Sequence, residues 1–281
     1  KLSKRLIIFF MHKIIHIIIL MVLPVFVFSQ YKKPSKSKQK IFDAAPYWRE
    51  EFNYTGLPDT TKWTYETGSS ANNELEYYTH AKNAKVKNGK LYIQARKEKI
   101  DGMNYSSARM VTKGKAEFLY GRFEIKAKLP AGRGLWPAIW MMPAKENYGG
   151  WPASGEIDIM EQVGFAPDSI HISTHTAERN WMKNNGETTS VYVKTATTAF
   201  HIYRIDWTPE AIDGFIDGKK VFHYLNNKKG PGYWPFDKPF FLILNVAVGG
   251  DWGGKHGIDE SIFPAQMEVD YIRIYKMKNN K

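Results

Sequence analysis

The sequence predicts an all-β sandwich, on three observations. Apolar residues recur at every second position over long stretches, Gly and Pro punctuate those stretches at short intervals, and helical periodicity is hard to find. Alternation puts neighbouring side chains on opposite faces of a strand, so one face can enter a core while the other meets water. Lys90–Ala95 alternates in this way, as do Tyr120–Leu129 and Met267–Tyr275. Phe215–Phe222 reads as two strand ends joined by an Asp217-Gly218 turn, a pair that tolerates the positive φ of a tight hairpin. Many short strands with no internal repeat suit one domain of two packed sheets.

That domain is expected over residues 41–281. Before it, Met11, His12 and Lys13 lead into an apolar run from Ile14 to Phe28, and small Ser29 follows. A basic flank, an apolar stretch and a small residue make an export leader over 1–29, with Met11 as an alternative start and Gln30 as the first residue after cleavage. The run is short of the roughly 20 residues of a full span, so stable membrane insertion is not expected once the leader is cleaved. An uncleaved anchor is the alternative. Residues 30–40 are basic, lack apolar side chains beyond Tyr31 and contain Pro34, which reads as a disordered linker. The domain is therefore expected outside the cytoplasm, secreted, periplasmic or at the cell surface, with a monomer as the default state.

The formal net charge of +12 misleads about partners. Residues 1–40 hold nine Lys or Arg and no acid, and the remainder holds 31 basic and 28 acidic residues. The body of the chain thus carries a net of only +3, which removes the best argument for nucleic acid as its partner. There is no cysteine, which excludes disulfides. Aromatic residues make up 15 % of the chain, nine Trp among them. Such rings fill sandwich cores, and their flat apolar faces also stack on sugars.

The chemistry concentrates in Gly155-Glu156-Ile157-Asp158-Ile159-Met160-Glu161. Glu156 and Asp158 are two apart and share a strand face. Glu161 is at an odd offset and points away unless one residue is inserted. A β-bulge near Ile159-Met160 restores it, sending Ile157 and one of the bulge pair into the core. Three carboxylates on one face repel each other, which suits an acid–base site better than a structural strand. Glutamates leaning together across the bulge can approach to about 5–5.5 Å, the spacing of retaining glycosidases. A solvent-facing polar stripe and a hard-cation site are the rival readings.

This segment, preceded by Trp136-Pro137-Ala138-Ile139-Trp140-Met141-Met142-Pro143, resembles glycoside hydrolase family 16, and within it the laminarinase group of endo-β-1,3-glucanases. The resemblance spans about residues 47–276 and takes in Asn72–Thr79, Ser107-Ala108-Arg109, Tyr120-Gly121-Arg122, Asn245–Trp252 and Val269–Tyr275. It implies a concanavalin A-like β-jelly-roll of two curved antiparallel sheets with an open substrate cleft. It makes Glu156 the nucleophile and Glu161 the general acid/base with a raised pKa. Asp158 assists, and His175 joins the hydrogen-bond network, ahead of His171. Trp136 and Trp140 stack on sugar, Asn73, Glu74 and Arg109 contact the glycone side, and Trp252 offers a platform. Packing is the plainer role for the tryptophans, as an ion pair is for Arg109. No cofactor is required for catalysis. A structural calcium is implied on the opposite face, held by Glu51, Gly89 and Asp270. The chain departs from the family pattern at Glu76, where Gln is common, and in lacking a Pro after Trp252.

The partner implied is a β-glucan, laminarin-like and in second place mixed-linkage. A galactan hydrolase of the agarase, porphyranase or carrageenase kind keeps the same motif, but no dense basic run marks the domain for a sulfated substrate. A non-catalytic glucan-binding protein would lack the two glutamates. A transglycosylase would share the covalent intermediate.

Overall fold

The computed structural model describes residues 41–278, Ser70 excepted; the leader and linker expected over 1–40 lie outside the described residues. In chain order the strands are β1 (Trp48–Glu50), β2 (Thr64–Glu66), β3 (Glu76–Tyr78), β4 (Ala84–Lys87), β5 (Lys90–Ile100) and β6 (Met103–Ser107). There follow β7 (Arg109–Val111), β8 (Gly121–Lys128), β9 (Leu135–Pro143), β10 (Glu156–Glu161), β11 (Ser169–His175) and β12 (Glu187–Tyr192). The last five are β13 (His201–Trp207), β14 (Ala211–Ile216), β15 (Lys219–Leu225), β16 (Phe240–Val248) and β17 (Ala265–Tyr275). Among the described residues the helical pieces are two short 3-10 turns, Trp181–Lys183 and Glu260–Ile262.

The strands form two sheets, one ordered β15-β14-β13-β8-β17-β5-β6-β3, with β1 on β17 and β4 on β5, and the other β12-β11-β10-β9-β16-β7-β2. The alternating stretches become β5, β8 and β17, and in β8 each polar residue of Arg122–Lys128 faces outward while Phe123, Ile125 and Ala127 are buried. Asp217 and Gly218 take φ of 49° and 80° and close the β14–β15 hairpin, as their types require. Phe123, Ile125, Tyr203, Ile205 and Trp207 from the larger sheet meet Ile139, Met141, Ile157, Leu242 and Leu244 from the smaller in one core. Dispersion and the exclusion of water over these faces hold the sheets together.

Strand β16 departs from alternation: all nine residues are buried. Its second face is covered from outside, where Val111, Phe241 and Ile243 form a small cluster under Trp140 and Met142. The aromatic side chains of β9 thus lie on the outer face of the seven-stranded sheet, beside the acids of β10.

Candidate active site

Register makes the bulge. On β9, Asp158 pairs with Trp140 and Met160 with Ile139, which leaves Ile159 without a partner. On β11, Asp158 pairs with Ser173 and Glu161 with His171, so two residues of β10 stand against one of β11. The extra residue turns Glu161 to the face of Glu156 and Asp158. One correction applies: both Ile159 and Met160 enter the core, each fully buried. Gly155 sets the approach to β10. It has φ +90°, and a Cβ there would lie 2.8 Å from Pro235 and 2.9 Å from Phe236.

Cross-strand partners share a face, so register also lays a row of side chains across the sheet. Glu66, Arg109, Asn245, Ala138, Glu161 and His171 are successive partners from β2 to β11. The adjacent row runs Ile243, Trp140, Asp158 and Ser173. The sequence reading set His171 behind His175; the bulge brings it opposite Glu161.

At one end, Trp151 Nε1 donates to Glu156 Oε2 at 2.5 Å. His175 Nε2 lies 3.4 Å from Asp158 Oδ2, and ligand atoms of Glu156, Asp158 and His175 fall within 4.8 Å of one another. An imidazole among them departs from the all-oxygen set that calcium takes, which disfavours the hard-cation reading here. At the other end, Trp136 Nε1 donates to Glu161 Oε1 at 3.0 Å. Trp252 packs edge-on against Trp136 and His171, with centroids 5.5 and 4.9 Å away.

Burial raises all three acids, and the acids raise each other. Glu156 is pushed up to about 8, first by burial and next by Asp158. Glu161 is pushed up to about 7 by burial and then by Glu156, against the Trp136 indole. Asp158 rises well above its ordinary value by burial and by Glu161. So close a cluster keeps protons that separate carboxylates would lose near pH 4. Half-buried His171 is pushed the other way, towards neutrality.

Trp140 is held at its edge and its face: its Nε1 donates to Asn245 Oδ1 at 2.8 Å and Arg109 lies 4.7 Å over its ring. Arg109 also pairs with Glu66 at 2.8 Å, so it serves as ion pair and ring cover together. Asn245 in turn donates to the Tyr78 hydroxyl, and that hydroxyl donates to Glu74, both at 3.0 Å. Asn73 donates to Asp251 Oδ1 at 2.8 Å, which ties it to the loop that carries Trp252. Glu76 is fully buried behind Glu74; its Oε2 accepts the Val248 N–H at 2.6 Å, and its Oε1 has no donor.

The three residues implied as calcium donors lie away from this face. Glu51 feels the charge of Asp270, and Gly89 lies against Asn53, two residues past Glu51. Two carbonyls and a carboxylate suit a hard cation. Such an ion would compete with Lys126, whose Nζ is 2.7 Å from Asp270. The Glu51 carboxylate is occupied by Arg273, so only the carbonyl of Glu51 is available.

Sequence reasoning missed Trp151 and did not single out Asn245. Trp151 had a signal, an aromatic in a Pro- and Gly-bearing loop five residues before an acid. Asn245 had none beyond its place among quoted residues.

The profile of glycosyl hydrolases family 16 matches residues 71–273. Over 249 residues the chain is 50% identical to a beta-glucanase of Rhodothermus marinus, spanning 83% of this chain and 87% of that one. The X-ray structure of the laminarinase from Rhodothermus marinus aligns with a TM-score of 0.83 and 48% identity, over 85% of this chain and 100% of that one. A crystal structure of SCLam, described as a non-specific endo-β-1,3(4)-glucanase from family GH16, aligns at 0.81 and 41% identity, over 85% of this chain and 93% of that one. The two sheets are thus those of the jelly-roll expected from the sequence, and the chain belongs to glycosyl hydrolase family 16.

Proposed function

We propose that this chain is a retaining endo-glycosidase that cuts β-1,3-glucan, with mixed-linkage β-1,3/1,4-glucan as a second substrate. The observation that carries the mechanism is the bulge at Ile159, which gathers Glu156, Asp158 and Glu161 on one face between indole donors. The glucan-cutting relatives support the substrate class.

Glu156 attacks the anomeric carbon as a carboxylate while Glu161 gives its proton to the departing glycosidic oxygen. Glu161, now charged, takes a proton from water as the water oxygen attacks the same carbon. The ester bond to Glu156 breaks and the configuration is retained. Asp158 is the acid that keeps a proton in the resting pair. It is 1% exposed, whereas Glu156 receives the Trp151 N–H and the field of His175. Protonated Asp158 therefore donates to a charged Glu156. Trp136, Trp140 and Trp252 supply ring faces for sugar, and Glu74 and Arg109, with Asn73 through the Trp252 loop, shape the glycone side.

The test is reducing-sugar release from laminarin, mixed-linkage glucan, agar, porphyran and carrageenan, with Glu156→Gln as control. Release from laminarin that disappears in the variant supports the reading. Activity on a galactan alone keeps the mechanism and overturns the substrate.

Export and calcium belong to the same reading. Cleavage after Ser29 predicts Gln30 as the N-terminus of protein recovered from outside the cytoplasm, checked by N-terminal sequencing. Calcium at Glu51, Gly89 and Asp270 would brace the fold and take no part in the chemistry. It predicts a Tm that falls in chelator and is restored by calcium, and no response would exclude the ion.

A further inference from the structure

The row of side chains described above covers one side of the acids. Arg109, Asn245 and Trp140 sit on β7, β16 and β9, and the resemblance puts the glycone on that side. Across β10 lie β11 and β12, and the loop between them carries Trp181. Trp181 is 58% exposed, and Met182 beside it is 54% exposed. A bare indole on a loose loop would mean little, but this loop is tightly held. Asn180 is buried; its amide donates to the Thr176 carbonyl at 3.0 Å while its oxygen accepts the Lys183 N–H. Asn185 donates to the Glu178 carbonyl, and Arg179 binds Glu187 at 2.8 Å. The loop thus spends its polar groups on presenting an apolar ring to water, where a ring gains only from a partner.

The ring also continues the site. Trp181 lies 6.3 Å from Trp151, with the planes 36° apart. Trp151 is 37% exposed, lies 6.1 Å from His175 and donates to Glu156. Two partly exposed indoles therefore lead outward from the catalytic acids, opposite the glycone residues. We propose that Trp181, with Trp151, is a stacking platform for a glucosyl ring on the leaving-group side of the cut bond. The proposal rests on the glucanase reading. A sugar held there has two fates. In the first step it departs with the proton of Glu161. After that step an acceptor sugar in the same place can attack the glycosyl ester through its hydroxyl oxygen, its proton passing to Glu161. The platform thus also favours transfer over hydrolysis.

The test compares two donors in the wild type and in Trp181→Ala. Laminarihexaose fills both sides of the cut, whereas β-laminaribiosyl fluoride has no leaving-group ring. Loss of one stacked ring is expected to lower kcat/KM for the hexaose about tenfold, mostly through KM. It should lower the rate on the fluoride several-fold less, and reduce the share of transfer products formed with added laminaribiose. Trp181→Phe should recover part of the loss. Equal losses on both donors with an unchanged product ratio overturn the platform and leave the glucanase reading intact. A wild type inactive on both donors overturns both.

Discussion

Burial and the Trp136 indole pull the proton of Glu161 in opposite directions. The indole N–H favours the charged form, so removing it leaves burial and the Glu156 charge, both of which favour the acid. The alkaline limb of kcat/KM is expected near pH 7 in the native enzyme, and Trp136→Phe should move it upward by about half a unit to one unit. A pH profile of kcat/KM checks this, and a limb that moves down would refute the assignment of Glu161 as the acid. A second buried acid tests the same physics without chemistry. Glu76 is raised well above its ordinary value by burial and then by Glu74, while Tyr78 and the Val248 N–H act against the rise. The charge of Arg109 acts on Tyr78, where it works against the rise. The folded chain therefore holds a proton that the unfolded chain releases above about pH 4.5, so stability declines as pH rises from there through the folded pKa. Glu76→Gln keeps an acceptor for Val248 and supplies a permanent donor to Glu74. The fall in Tm between pH 5 and pH 8 should be smaller in this variant than in the wild type; equal falls would show that Glu76 is ionised in the fold.

At the scale of the element, the bulge is the one extra residue that lets acids five apart share the catalytic face. Deleting Ile159 makes the offset between Glu156 and Glu161 even, so a regular β10 still presents Glu161 on the face of Glu156 and Asp158, with Met160 in the core. Activity should therefore fall by much less than the roughly 10³-fold of losing a general acid, in a chain that still shows its β-sheet circular dichroism. A loss of that full size would show that the bulge sets the spacing of the two glutamates as well as the face they share. The bulge was legible in the sequence because an odd offset between two acids has only that remedy on a strand, and the long strands were legible because a core-facing side chain returns every second residue. Other features depend on which strands meet, which alternation does not encode. His171 faces Glu161 only through the β10–β11 register, and Ile159 and Met160 are both buried in the core between the sheets. Trp151 reaches Glu156 from a loop and Trp181 reaches Trp151 from another, where no period applies, and the burial of Glu76 beneath Val248 depends on contacts between distant strands.

For the whole molecule, the acid cluster is a stability cost that the rest of the core offsets. At pH 7 the folded chain keeps a proton near Glu156, pushed up to about 8, that the unfolded chain has lost. Folding must therefore take up a proton or bury a charge, and either is unfavourable at that pH. Glu156→Gln takes one carboxyl out of its pair with Asp158, and with it part of the demand, while keeping an acceptor for the Trp151 indole and a similar volume. Part of the glutamate still meets the cleft, so the gain should be well under the full shift, about 1–3 kcal/mol at pH 7. For a chain of this size that raises Tm by several degrees. The sign fixes the pH dependence. A carboxyl raised in the folded state costs nothing below the unfolded pKa, so the gain should shrink towards pH 5 and be largest near pH 8. Thermal unfolding of both proteins at pH 5, 7 and 8 reads it directly. An inactive variant with a higher Tm at neutral pH and no advantage at pH 5 would show that the fold tolerates its active site at a cost in stability. A variant with a lower Tm at every pH would show that the Glu156 carboxyl is part of what holds β10 in place.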